Sequence, residues 1–86
     1  MNAMNLSVKD AVAVAMNYVA SFGPIFPTRG LRLEETEVED SGNWRITLSF
    51  IDDDTIDART YKTFLIDPET RLVRAMKIRE LKTIPF

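Results

Sequence analysis

A regular alternation of apolar and polar residues constrains the fold more than any other feature of this sequence. The alternating residues are Trp44, Arg45, Ile46, Thr47, Leu48, Ser49 and Phe50. Successive side chains of a strand point to opposite faces of its sheet, so the segment predicts a strand with one apolar and one polar face. We expect the apolar face to form the core and the polar face to be solvated. A change on the polar face, such as Thr47→Ala, should then cost little stability unless that side chain makes a special contact.

A helical pattern precedes this strand and offers a partner for its apolar face. Ser7 is followed three residues later by Asp10, a spacing typical of a helix N-terminus. Apolar residues then recur at spacings of four and three, at Val8, Val12, Ala15, Val19 and Phe22. Gly23 and Pro24 predict the end of the helix. We expect the apolar stripe of this helix to cover the apolar face of the strand.

Three further strands are predicted, at residues 31–40, 59–67 and 71–81. Short turns join consecutive strands, which favours an antiparallel sheet with its strands in the order 1-2-3-4. Leu33 and Val38 are an odd number of residues apart, so a β-bulge between them would bring both to the core side. The apolar residues of the last strand change phase midway, which indicates a second bulge.

These elements predict a single α+β domain over residues 1–86, with one N-terminal helix packed on a four-stranded antiparallel meander. Residues 1–6 are expected to be a flexible leader and residues 82–86 a tail, with Met1 and Met4 both open as the chain start. A chain of 86 residues buries little surface on its own, and dimerisation is a common remedy, so we expect a homodimer.

Composition narrows the function classes. The chain contains no cysteine and no histidine, which removes disulfides, thiolate zinc sites and the commonest general base. Its net charge of −2 argues against general nucleic-acid binding. No apolar run has the length of a membrane span, and the N-terminus lacks a signal-peptide pattern. We therefore expect a cytoplasmic protein with no nucleic-acid partner, no membrane contact and no cofactor.

The layout resembles the PepSY-like group of cystatin-like small domains. The resemblance lies in the helix, the tryptophan-containing strand, and the segment Tyr61–Asp67 running into Pro68–Val73. It implies a helix wrapped by a curved antiparallel sheet and a role in binding, including peptidase inhibition. Arg71 stands where the turn of that group usually has glycine. Members are often exported or membrane-associated, and the resemblance carries over no catalytic residue.

An acidic loop is the candidate metal site, at Asp52, Asp53, Asp54 and Asp57. Clustered carboxylates suit calcium or magnesium, but an EF-hand starting at Asp52 or Asp53 fails. Its sixth position would be Asp57 or Ala58 instead of glycine. Its twelfth position would be Thr63 or Phe64 instead of glutamate. We expect a solvated loop and no metal site.

Charge is segregated between the first and last predicted strands. The first carries glutamates and the last carries arginines and lysine. These charged edges either block aggregation or pair one copy's acidic edge with another copy's basic edge. A basic strand that binds an acidic partner or RNA is a further alternative, although it lacks the interleaved aromatics that base stacking needs.

Four apolar residues are the candidates for partner binding. Ile25 and Phe26 lie in a proline-containing loop, where they either seal the core or form an exposed patch. Tyr61 and Leu65 lie on the outward side of the third strand, where a face-to-face dimer would bury them. Trp44 shares the phase of the core residues, so we expect it in the core and not in a ligand site.

The sequence therefore favours a non-enzymatic module that binds a protein or peptide, with an inhibitor-like role implied by the resemblance. A structural subunit of a homo-oligomeric assembly is the alternative. A small enzyme is the third and least favoured hypothesis. No nucleophile has a histidine base, and no carboxylate lies where burial would raise its pKa.

Overall fold

The computed structural model describes residues 6–23, 29–51 and 59–79. Helix α1 spans Val8–Ala20, and the strands are β1 Arg32–Val38, β2 Trp44–Ile51, β3 Arg59–Ile66 and β4 Val73–Arg79. The strands form one antiparallel sheet in the order β1-β2-β3-β4, and α1 packs on one face of it. The predicted α+β layout is confirmed. The two candidate starts, the loop with Ile25 and Phe26, the acidic loop and the tail lie outside the described residues.

Helix α1 begins as its sequence predicts. Ser7 is the N-cap, with extended backbone angles, and its Oγ accepts a hydrogen bond of 3.1 Å from the amide of Asp10. Such a cap contributes about 1 kcal/mol by satisfying an amide that has no partner within the helix. The helix ends at Ala20, one half-turn before the predicted Phe22.

The core lies between α1 and the two central strands. Ala11, Ala15 and Val19 present one fully buried stripe of the helix. Their small volume lets the helix axis approach the sheet closely. The stripe and its partners form a single buried cluster, which also contains Leu6, Ile46, Leu48, Phe64 and Ile66.

The sequence prediction is wrong at the beginning of the helix. Val8 is 42% exposed because it occupies the first helical position, at the end of the element. Leu6, assigned to a flexible leader, is instead buried in the core. Its carbonyl accepts a hydrogen bond of 2.8 Å from the indole Nε1 of Trp44, which fixes this segment to β2. Trp44 itself is half-buried and packs against the core, as predicted.

Both predicted β-bulges are present. In β1 the register shifts between Leu33 and Glu35, so Leu33 pairs with Leu48 and Val38 pairs with Trp44. Leu33 and Val38 therefore both lie on the helix side, but they are exposed, at 42% and 57%, because β1 is an edge strand. In β4 the register shifts in the same way at Arg74.

The turn between β3 and β4 is organised by Asp67. Its Oδ1 accepts hydrogen bonds from the amides of Glu69, at 2.7 Å, and Thr70, at 3.3 Å. Its backbone carbonyl accepts the amide of Arg71 at 2.8 Å. Arg71 has a φ of 61°, in the left-handed region where glycine is preferred. The side chain at this position is thus accommodated at a conformational cost.

The polar face of β2 is not solvated, which corrects the sequence prediction. Thr47 is 2% exposed, Ser49 is fully buried and Thr63 of β3 is 9% exposed. The Oγ1 atoms of Thr47 and Thr63 lie 3.0 Å apart in a cross-strand hydrogen bond. Thr47 therefore makes a special contact, and its substitution is expected to lower the stability of the protein.

We expect unequal losses from substitutions on the two faces of β2. Leu48→Ala should lower the free energy of unfolding by about 2–5 kcal/mol, because it leaves a cavity in the core. Thr47→Ala should lower it by about 1–3 kcal/mol, because it leaves Thr63 without its buried partner. Urea denaturation measures both, with the exposed Thr36→Ala as the control, for which we expect a change within about 0.5 kcal/mol. A loss at Thr47 no larger than at Thr36 would contradict the buried hydrogen bond.

Arg71→Gly should stabilise the protein. A non-glycine residue in the left-handed region costs about 1–2 kcal/mol, and glycine avoids this cost. Glycine also makes the unfolded chain more flexible, which offsets about 0.5–1 kcal/mol of the gain. We expect a net rise in the free energy of unfolding of about 0.5–1 kcal/mol, measured by thermal and urea denaturation. Glu69→Gly in the same turn is the matched control and should destabilise. A loss in both variants would refute the assigned backbone conformation of Arg71.

Candidate binding surface

The face of the sheet opposite α1, here called the outer face, is the candidate functional surface. Its residues follow from the strand register and include Arg32, Glu35, Glu37, Arg45, Thr47, Ser49, Tyr61, Thr63, Leu65, Ala75 and Lys77. One row across the sheet runs through Glu35, Thr47, Thr63 and Lys77. The row therefore begins with an acid on β1 and ends with a base on β4.

Hydroxyl groups form the buried floor of the outer face. Besides the pair between Thr47 and Thr63, Ser49 Oγ donates to a carboxylate oxygen of Glu34 at 2.6 Å and accepts from Arg59 Nε at 2.9 Å. Within the described residues, no buried side-chain nitrogen or oxygen lacks a hydrogen-bond partner. The floor is therefore fully satisfied without any partner molecule.

Ion pairs hold the charged side chains above this floor. Arg45 bridges two carboxylates, with Glu37 at 2.9 Å and Glu39 at 2.7 Å. The hydrogen bond from Arg45 lowers the pKa of Glu39. The hydrogen bond from Ser49, followed by that from Arg32 at 2.8 Å, lowers the pKa of Glu34. Both carboxyl groups are consequently ionised throughout the neutral range.

The β1 bulge concentrates negative charge on this face. Glu34 is the bulged residue and reaches Ser49, while Glu35 and Glu37 lie beside Thr47 and Arg45 in the register. In regular alternation, Glu34 and Glu35 would point to opposite faces. With the bulge, all three carboxylates of β1 lie on the outer face, and we call this strand the acidic edge.

The opposite edge carries the opposite charge. Strand β4 contains two arginines and a lysine and no acidic residue. Lys77 lies on the outer face beside Thr63, and Arg74 lies at the β4 bulge, 3.9 Å from Asp67. We call this strand the basic edge. The predicted segregation of charge to opposite edges of the sheet is confirmed by the strand order.

An open groove of about 450 Å³ crosses the outer face. Its lining residues are Glu37, Glu39, Arg45, Thr63, Leu65, Lys77 and Ile78. Leu65, a predicted binding residue, thus contributes to the groove. Tyr61 is the next residue of β3 on the same face after Thr63, on the side away from Leu65. Both are partly buried. Ile25 and Phe26, the other two predicted binding residues, lie outside the described residues.

The sequence analysis missed the role of Arg45. A signal was present, because the turn that joins β1 to β2 brings Glu37 opposite Arg45 in the register. Counting residues outward from the turn pairs the two charges from the sequence alone.

A second, more apolar groove of about 310 Å³ lies between α1 and the beginning of β4. Val14, Tyr18, Leu72 and Val73 contribute its apolar lining, and Leu72 is 64% exposed. The Tyr18 ring packs edge-on against Phe64, with centroids 6.0 Å apart, so one wall of the groove is continuous with the core. This groove has no charge pattern comparable with that of the outer face.

Two other kinds of site are absent from residues 6–23, 29–51 and 59–79. That part of the chain holds no group of three or more acidic residues placed to bind a metal ion. It also contains no helix with the length and apolarity needed to cross a bilayer. The acidic loop at residues 52–57 lies outside the described residues, so its predicted lack of metal binding stays a prediction.

Comparison with known proteins gave no match, whether with a family model, a curated protein or a solved structure. The fold and the outer face therefore define the molecule only as a small α+β domain with an ordered, bipolar sheet surface. The resemblance to PepSY-like domains stays a prediction.

The carboxylates of Glu34 and Glu39 should make stability acid-sensitive. Their folded-state pKa values are lowered, so their stabilising contribution is present above the ordinary glutamate value of about 4.3 and is lost as the pH falls below it. We expect urea denaturation to show a lower free energy of unfolding at about pH 3 than at about pH 7.

Ser49→Ala should make this decrease smaller, because it removes the main cause of the lowered pKa of Glu34. Ser21→Ala is the matched control, since its hydroxyl bonds the Tyr18 carbonyl at the end of the helix. It should retain the full decrease. Equal acid sensitivity in both variants would contradict the assigned interaction.

Proposed function

We propose that this chain is a non-enzymatic protein-binding module that acts through the outer face of its sheet. The observation that carries the proposal is the burial of Thr47, Ser49 and Thr63 on a face that no described element covers. Small hydroxyl residues on an ordinary solvated sheet face would be exposed. Here Glu34 and Arg59 hold the Ser49 hydroxyl in hydrogen bonds, and Thr47 and Thr63 bond each other.

Such a surface is organised before any partner arrives. Arg45 is held by two carboxylates, and Glu34 is held by both Ser49 and Arg32. Ordering a long side chain during association costs about 0.5–1.5 kcal/mol. Side chains that are already ordered avoid part of this cost, which favours binding.

The residue types at the centre of the face also suit a protein partner. Tyrosine and arginine dominate the energetics of protein interfaces. Arg45 lies beside Leu65 on this face, and Tyr61 lies beside Ser49 on the same face. The groove is open and lined by both acids and bases, which fits an extended protein surface better than an enclosed small ligand. The resemblance to a group that acts in binding agrees with a protein or peptide partner, including an inhibitor-like role.

The chemistry of the face supports a non-enzymatic role. A general acid needs a carboxyl group whose pKa is raised toward neutrality. The carboxyl groups of Glu34 and Glu39 have lowered pKa values, so they serve as fixed charges and not as proton donors.

Site-specific photo-crosslinking in the native cell tests the proposal. A benzophenone amino acid at position 65 should give a discrete conjugate, because Leu65 lines the groove of the outer face. The same amino acid at position 13, on the exposed side of α1, is the control and should give none. The conjugate identifies the partner by mass spectrometry.

Binding of that identified partner should then be measured with purified proteins. Leu65→Glu should weaken it at least about tenfold, because a charge replaces a partly buried apolar contact. Ala13→Glu should leave it unchanged. No conjugate at position 65, or equal conjugates at both positions, would refute the outer face as the binding surface.

A further inference from the structure

The outer face carries a charge pattern that is complementary to itself, and we infer that its partner is a second copy of this chain. The two copies pack face to face, related by a two-fold axis that runs parallel to the strands. This inference rests on the proposed function, since it names the partner of the same surface.

The first argument is the charge on the two edges. The acidic edge β1 contains three glutamates and one arginine, whereas the basic edge β4 contains three cations and no acid. The two edges are separated by β2 and β3, so they lie about 14 Å apart at the usual strand spacing of about 4.8 Å. That separation exceeds the screening length of about 8 Å at physiological salt, so the edges attract each other little within one copy.

Symmetry selects one arrangement of two copies. A two-fold axis parallel to the strands places β1 of one copy against β4 of the other, and acids meet bases at both ends of the interface. An in-plane axis perpendicular to the strands places β1 against β1 and β4 against β4. That second arrangement sets like charges together and is disfavoured.

The strand register makes the contact specific. Glu35 and Lys77 lie at opposite ends of the same row across the sheet. Rotation about an axis parallel to the strands keeps each row at its own height, so Glu35 faces Lys77 of the partner subunit. The same rotation forms the reciprocal pair, and it places Thr47 over the partner's Thr63. An angle of about 30° between packed sheets displaces the ends of this row by about 4 Å, a distance that the long side chains of Glu35 and Lys77 span.

Pairing of the edges in one continuous sheet is the competing arrangement, and the structure disfavours it. Both edge strands carry a bulge, and a bulge interrupts the ladder of backbone hydrogen bonds that edge pairing requires. Joining β1 of one copy to β4 of the next is also a head-to-tail contact, which propagates instead of closing into a dimer.

The size of the face sets the expected affinity. Four strands of seven or eight residues cover about 19 by 26 Å, or about 500 Å² per copy and about 1,000 Å² in total. This area is near the lower limit for a specific interface. We therefore expect a dimer with a dissociation constant in the micromolar range. This constant should increase as salt is added.

Charge exchange tests the inference. By sedimentation equilibrium at about 1–200 µM, Glu35→Lys and Lys77→Glu should each raise the dissociation constant at least about tenfold. The double variant, which exchanges the two charges, should restore dimerisation to within about threefold of the native chain. Lys9→Glu on α1 and Glu69→Lys in the β3–β4 turn are matched controls, and both should dimerise like the native chain. Circular dichroism melts verify that each variant is folded.

Each outcome is decisive. A monomer over the whole concentration range refutes the second copy as partner, and so does a double variant that fails to recover. Tighter dimerisation in Glu35→Lys alone would indicate the perpendicular axis and would also refute the inference. Photo-crosslinking at position 65 separates this failure from failure of the proposed function. A conjugate of two 9.8 kDa chains supports the dimer, and a conjugate with another protein leaves only the proposed function standing.

Discussion

Burial of β2 on both of its faces is the constraint on which the rest of the structure depends. The five consecutive residues from Ile46 to Phe50 are buried, although their side chains alternate between the two faces. On the helix side, apolar contacts with α1 account for the burial, as expected for a strand in the middle of a small core. On the outer side, the buried hydroxyl of Ser49 bonds Glu34 and Arg59, and that of Thr47 bonds Thr63. The strand therefore has an apolar face in the core and a polar face whose side chains are also buried and hydrogen-bonded.

The two kinds of burial differ in their energetics. Apolar contacts such as those of Leu48 are non-directional and tolerate exchange of similar volumes. The hydrogen bonds of Thr47 and Ser49 are directional, and removal of one partner leaves the other buried without compensation. The outer face is therefore less tolerant of substitution than its polar composition suggests. Its order is obtained from the sheet itself, which explains why it needs no covering element.

The fold was largely predictable because its determining signals are local. The Ser7 cap, the alternation of β2 and the turn at Asp67 each follow from residues a few positions apart. The predicted bulges followed from a mismatch between apolar positions and strict alternation, as at Leu33 and Val38. These signals need no knowledge of what packs on the sheet.

The candidate surface was less predictable because its determinants are not local. Burial of Ser49 depends on Glu34, which reaches it from β1 through a bulge, and on Arg59 from the other neighbouring strand. The position of Leu6 depends on a hydrogen bond to Trp44, 38 residues away in the chain. Sequence periodicity assigns a residue to a face, but it does not show what lies over that residue. The prediction of a solvated face failed for this reason.

The arrangement of polar, apolar and charged side chains indicates where specificity resides on the outer face. Thr47, Thr63 and Ser49 are already engaged within the sheet, so they offer a partner shape and few new hydrogen bonds. The charges of β1 and β4 lie at the margins of the face. Central contacts of Leu65 and Tyr61 would then contribute most of the affinity, since burial of apolar surface is worth more than an exposed ion pair.

Charged margins would instead decide which partner is accepted and in which orientation, since like charges placed together are costly. A second copy satisfies this condition without any further adaptation, because its own margins carry the complementary signs. Another protein could satisfy it only with a basic stripe and an acidic stripe about 14 Å apart, matching the spacing of four strands. The β1 bulge adds Glu34 to the carboxylates of this face and thus contributes to the charge on which its selectivity depends.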